Sequence, residues 1–371
     1  MINVTKPYMG NIDKFKAYVD TLYASRWLTN HGPLCCELEE RLKEHLGVRN
    51  IVLTNNGTSA LQIAYRALGI TGSAVTTPFS FVATSSTLQW EGIRPLFADI
   101  DPHTWNLAPE HIQAALQPDT QAIVATHVFG NPCAVASIAE VAAHNQLKVV
   151  YDGAHAFGAR QGGQSVLNFG DVTTLSFHAT KLFHTIEGGA VITHDDDLAE
   201  RVRLLCNFGI ADFETIESIG INAKLNEFSA AMGLCILDDI ELIFEQRAEI
   251  GDFYARTLGD YLQLQEAAAD SQINYSYFPV ALPNHASMLA ARAALQGRGI
   301  NPRRYFYPSL DTLPYLQPQR PQAVSRDLAE RVLCLPIYPG LAREVQETVV
   351  ETLLRQHEPL AVSLLAGTQA R

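Results

Sequence analysis

The sequence is short of cysteine, of positive charge and of long apolar runs, and each shortage removes a class of protein. Its six cysteines (Cys35, Cys36, Cys133, Cys206, Cys235 and Cys334) include no Cys-x-x-Cys pair, so neither a zinc ribbon nor a redox dithiol is encoded. Buried free thiols are expected instead. Lys and Arg number 27 against 39 Asp and Glu, a formal net charge of −12, which argues against a general nucleic-acid binder. No apolar run approaches the roughly 18–20 residues of a membrane-spanning helix. The opening MINVTKPYMGNID also lacks a basic start followed by an apolar stretch, so a cytoplasmic protein without membrane attachment is expected.

Common catalytic signatures are missing as well. No Gly-x-Gly-x-x-Gly follows a strand, and the chain has no Gly-x-x-x-x-Gly-Lys-Ser/Thr, His-Glu-x-x-His or Gly-x-Ser-x-Gly. Dehydrogenase, NTPase, zinc-protease and α/β-hydrolase readings lose their main support, and no metal site is expected.

What is present is enough apolar material, 47% of residues, to bury a sizeable core. Between about residues 50 and 205, short β-branched runs precede helical patterns: IVLT before SALQIAYRALG, AVTTPF before VATSSTLQW, AIVATHVFG before AVASIAEVAAHN, then KVVYD. Such alternation predicts an α/β fold with a mainly parallel central sheet covered on both faces by helices. The stretch from Ser229 to Leu262 reads as one long amphipathic helix crossing between domains, with no Pro or Gly between Ile236 and Ile250. A smaller α+β domain follows. The expected division is an N-terminal arm (1–12), a large domain (13–245) and a small C-terminal domain (246–371).

Three segments at predicted strand ends concentrate chemistry. Thr54-Asn55-Asn56-Gly57-Thr58-Ser59 turns from a strand into a helix, whose free N–H groups suit a phosphate; the same pattern also fits an ordinary N-cap. Asp152 ends the apolar strand of VVYDGAHAFG, where an open parallel sheet presents ligand-contacting groups, and where an acid also caps turns. Lys181, in LSFHATKLFHTIEGGA, has apolar, hydroxyl and His neighbours; burial depresses an ammonium pKa, and a neutral amine can form a Schiff base.

With WLTNHGP, NNGTSAL, TPFSFVAT, YDGAHAFGA, SFHATK…EGGA, GINAKLNEFSAAMG and RRYFYPSL in order along the chain, the sequence resembles the DegT/StrS family of pyridoxal 5'-phosphate (PLP) dependent nucleotide-sugar aminotransferases. That family has the aspartate aminotransferase fold, known as fold type I. The resemblance implies that Lys181 joins covalently to PLP and moves the proton of the transfer, while Asp152 holds the ring nitrogen protonated. It implies that Phe81 stacks on the ring, and that Gly57, Thr58, Ser59 and Ser176 bind the phosphate. His155, where many relatives have Gln, would lie beside the ring hydroxyl. Asn222 would reach the phosphate of the neighbouring subunit, which implies a homodimer with shared active sites.

Departures matter too. Many relatives read Asn-Tyr-Arg where this chain has Asn222-Ala223-Lys224, so sugar contacts there do not carry over. Arg303, Arg304 and Lys224 are the candidate cations for a substrate diphosphate, and His178 and His184 either touch the sugar or sit satisfied in the core. The resemblance is strongest to the branch making dTDP-4-amino-4,6-dideoxy-D-glucose from L-glutamate and a dTDP-4-keto-6-deoxy sugar, for surface polysaccharide (O-antigen) biosynthesis. A 3-aminotransferase, a UDP-sugar enzyme or a non-catalytic regulator on this fold are the alternatives.

Overall fold

The structure, a computed structural model, describes residues 1–316 and 320–356. Seven strands form the central sheet, in the order Asn50–Thr54, Gly189–Thr193, Val172–Ser176, Lys148–Asp152, Thr120–Thr126, Ser73–Thr76 and Arg94–Phe97. Only Gly189–Thr193 runs antiparallel to its neighbours; every other pairing is parallel. Alternate side chains serve opposite faces. Ala122, Val124 and Val150 pack in one core, while Ile123, Ala125 and Val149 pack in another on the far face. Burial on both faces explains why these strands read as nearly continuous apolar runs.

The long helical stretch behaves differently from expectation. Two helices, Glu227–Asp238 and Ile240–Leu258, meet at Asp239, whose φ of −103° and ψ of 11° leave helical geometry. The break comes from tertiary bonds at an acidic pair. Lys14 and Arg41 both bind the Asp238 carboxylate, and the Tyr8 hydroxyl donates to Asp239. No Pro or Gly marks it.

The second of these helices links two cores. Ile240 and Ile243 pack with the large sheet's outer helices, whereas Ile250, Phe253, Tyr254 and Leu258 pack against an antiparallel sheet of Gln263–Leu264, Phe278–Ala281 and Val332–Leu335. Residue 245, where the sequence division falls, lies inside this helix between those groups. At the other end of the chain, Ile2–Asn3 pairs in parallel with Ile300–Asn301, tying the first residues to the C-terminal unit.

Among the described residues all six cysteines are free, five of them buried, and no cluster of His, Cys, Asp or Glu is arranged to hold a metal ion. No helix among them is long and apolar enough to cross a membrane.

Candidate active site

The carboxyl ends of the parallel strands open into a cavity of about 390 Å³. Its walls include Gly57, Thr58, Phe81, Asp152, His155, Ser176 and Lys181, so seven of the nine expected site residues converge on one space. Ser59 sits in the same helical turn but buried, its N–H taken by the Asn56 side chain at 2.8 Å, and it does not line the cavity. Asn222 lies elsewhere, exposed, its carbonyl accepting from Asn55 and its backbone bridged to Asn207.

The acid is well held. Asp152 ends its strand almost fully buried; Oδ1 accepts the Ala154 N–H at 3.1 Å and Oδ2 accepts the Thr84 hydroxyl at 2.7 Å. Across the cavity, burial pushes the Lys181 ammonium down to about 8, and the Asp152 charge acts against that shift. Lys181 Nζ stands 5.9 Å from the centre of the Tyr277 ring, and Tyr277 is itself hydrogen-bonded to the Thr180 side chain. This amine is therefore partly neutral near physiological pH, as a nucleophile or proton carrier must be.

His155 is enclosed by aromatics. It stacks at 5.7 Å on Phe306 and meets Tyr277 edge-on at 4.9 Å. Burial first, and the Lys181 charge second, hold its pKa well below the usual imidazole value, so it is neutral. Its Nδ1 is buried without a hydrogen-bond partner, and such an orphan calls for a polar group from outside the chain.

At the opposite wall, the helix Gly57–Ala67 points its first turn into the cavity. A Cβ on Gly57 would come within 2.8 Å of the Ser176 Cβ, so only glycine lets the helix start this close to the strand end. The free N–H groups of such a turn, with the Thr58 and Ser176 hydroxyls, make an anion cradle. Phe81, 53% exposed at the start of the helix Val82–Trp90, offers an aromatic face to the same space. Together the orphaned His155, the cradle, the acid and the low-pKa lysine fit PLP.

Of the candidate cations, only Arg303 lines the cavity. Arg304 is turned away, bonded to Glu330 and the Ala329 carbonyl and stacked on Tyr307. Lys224 is bonded to Asn207 outside the cavity. His178 lines the cavity wall beside Lys181, whereas His184 is a satisfied core residue whose ring nitrogens meet the Tyr8 carbonyl and the Ile186 N–H.

Sequence reasoning missed Tyr277, Phe306, Glu187 and Thr84 as parts of this site. Tyr277 and Phe306 arrive from the C-terminal unit; no local pattern announces Tyr277, whereas Phe306 lies inside RRYFYPSL, where the two arginines drew the reading instead. For Thr84 a signal existed: TTPFSFVATSST carries seven hydroxyl residues in twelve, far more than a helix start requires.

The sequence profile of the DegT/DnrJ/EryC1/StrS aminotransferase family matches residues 11–354. A dTDP-4-amino-4,6-dideoxy-D-glucose transaminase of Shigella dysenteriae is 40% identical over 359 residues, covering 95% of this chain and 98% of that one. The protein of the same name from Escherichia coli is 38% identical over 363 residues, again covering 95% and 98%. The crystal structure of DesI in the presence of its TDP-sugar product superposes with a TM-score of 0.89 at 35% identity, covering 98% of this chain and 95% of that one. The chain belongs to the DegT/DnrJ/EryC1/StrS aminotransferase family and is a PLP-dependent aminotransferase.

Proposed function

We propose that the enzyme transfers the amino group of L-glutamate to a dTDP-4-keto-6-deoxy sugar, giving dTDP-4-amino-4,6-dideoxy-D-glucose. The observation that carries the chemistry is Lys181, with its pKa near 8, sharing one cavity with the buried Asp152. The sugar assignment is supported by the two relatives of that name at 40% and 38% identity.

Bound PLP supplies an aldehyde that accepts the donor nitrogen and a ring that delocalises the charge left when a proton leaves carbon. Lys181 Nζ takes that proton and returns it, a role suited to an amine titrating close to working pH. Asp152 keeps the ring nitrogen protonated. The first turn at Gly57 and Thr58, with Ser176, holds the phosphate, Ser59 being turned from the cavity with its N–H on Asn56; Phe81 covers one ring face and the neutral His155 meets the ring hydroxyl through its unpaired nitrogen. Arg303, exposed at the cavity wall and without an ion-pair partner among the described residues, is the cation placed for the substrate diphosphate.

The working unit is a cytoplasmic homodimer in which Asn222 serves the partner's phosphate site. Supporting this, the segment 208–221 exposes Phe213, Ile216 and Ile219 at 109%, 73% and 73%, an apolar surface that water disfavours. An activated amino sugar is a substrate for further transfer, consistent with surface polysaccharide assembly. Incubation with glutamate and a panel of dTDP- and UDP-linked 3- and 4-keto sugars, with products identified by mass and NMR, is expected to show dTDP-4-amino-4,6-dideoxy-D-glucose as the preferred product. Preferential amination of a 3-keto or UDP-linked sugar would overturn the assignment.

A further inference from the structure

Beside the acid of this cavity runs a line of hydroxyl groups that the chemistry above does not use; Ser80 and Thr126 also border the cavity. Thr84 Oγ1 lies 2.7 Å from Asp152 Oδ2, Ser80 Oγ lies 2.8 Å from Thr84 Oγ1, and Thr126 Oγ1 lies 2.9 Å from Ser80 Oγ. All four side chains are buried. Because a hydroxyl has one proton to give, the direction of the whole line is fixed. An ionised carboxylate only accepts, so Thr84 donates to Asp152. With that proton committed, Ser80 must donate to Thr84, and by the same count Thr126 donates to Ser80. Three O–H dipoles point the same way, toward the carboxylate, and aligned bonds strengthen one another in a low-dielectric surrounding.

The line also joins separate pieces of the fold. Thr126 and Asp152 are register partners on adjacent parallel strands. Ser80 and Thr84 flank Phe81 at the start of the next helix, and their mutual bond closes the turn that carries that ring. One set of hydroxyls therefore sets both the acid and the aromatic face.

We propose that Thr84, backed by Ser80 and Thr126, positions the Asp152 carboxylate for the ring nitrogen of the cofactor and registers Phe81 against the same ring. With Oδ1 engaged by Ala154 and Oδ2 by Thr84, the carboxylate is held in one orientation, and the remaining lone pairs are reserved for the ring N–H. The inference rests on the PLP reading of the site. Thr84, Ser80 and Thr126 are positioning residues, acting through Asp152 and Phe81.

The test removes PLP from the purified holoenzyme, returns it by titration, and follows the absorbance of the bound cofactor across pH. Thr84→Val keeps shape but deletes the hydroxyl. It is expected to weaken PLP binding by roughly 10- to 100-fold, the range for losing one hydrogen bond to a charged group, and to displace the midpoint of the absorbance titration. Thr84→Ser is expected to restore both. Ser80→Ala and Thr126→Val, one and two steps further back, should give successively smaller losses, and Ser80→Ala carries the test if Thr84→Val does not fold. Wild-type PLP affinity and titration in Thr84→Val and Ser80→Ala, or a loss in Thr84→Val that Thr84→Ser does not repair, overturns the proposal. Asp152→Asn separates the two levels. If it too binds PLP as wild type does, the reading of the acid has failed; if it alone is impaired, only the positioning role has failed.

Discussion

A partly buried amine sharing a cavity with a carboxylate feels two opposed forces, and at Lys181 desolvation wins: the ammonium titrates near 8 instead of its usual 10.5. The consequence is a pH dependence with a definite sign. Capture of PLP by the apoprotein needs the neutral amine, so its rate is expected to climb with pH around a midpoint near 8, measured by stopped-flow absorbance. A midpoint at 10 or above would mean that the amine sits in water. Linkage gives the matching stability effect: between about 8 and 10.5 the unfolded chain keeps a proton that the folded chain has released. Apoprotein stability therefore rises across that window, and the charged amine costs stability below it. Lys181→Ala removes both effects together with turnover while leaving the fold intact. Lys181 was legible from its apolar and hydroxyl neighbours. For Thr84 the excess of hydroxyl residues around it was a signal that named no single residue, because a threonine near a helix start satisfies local propensity whether or not it also bonds an acid 68 positions away.

Among the elements, the helix Gly57–Ala67 and the strand Val172–Ser176 meet so closely that one methyl group decides the matter. Gly57→Ala would force its Cβ to within 2.8 Å of the Ser176 Cβ. Overpacking of this kind costs about 1–3 kcal/mol, and here it falls on the turn that forms the phosphate cradle. The expected result is PLP affinity lowered by about thirtyfold at the midpoint of that range, read by cofactor titration. Gly297→Ala, at a helix end where an added Cβ meets nothing within 4 Å, serves as the control with unchanged affinity. Equal affinities in the two variants would show that the cradle has room to spare. The strands and most helices could be read in advance because strands buried on both faces leave apolar runs, and because amphipathic helices between them repeat at helical spacing. The break at Asp239 could not. Two aspartates are compatible with a continuing helix, and only Lys14, Arg41 and Tyr8, more than 190 residues away, make them a corner.

At the scale of the whole molecule, one protomer brings seven of the expected site residues to its own cavity and leaves Asn222 outside it, on the segment that follows the exposed Phe213, Ile216 and Ile219. If two copies exchange these segments, each active site needs a lysine from one chain and an asparagine from the other. Subunit mixing tests that arrangement directly. Lys181→Ala homodimers lack the amine in both sites, and Asn222→Ala homodimers have two sites weakened toward the phosphate. Random reassortment at equal amounts makes half of the dimers hybrid, and each hybrid has one site built from two unmodified contributors. Activity at limiting PLP should then recover to roughly a quarter of wild type, since one site in two is whole in one dimer in two. Phe213→Asp in either parent should block the recovery by discouraging association of the apolar segments. If the mixture instead shows only the average of its two parents after complete exchange, Asn222 acts within its own chain or not at all, and the shared-site arrangement is wrong.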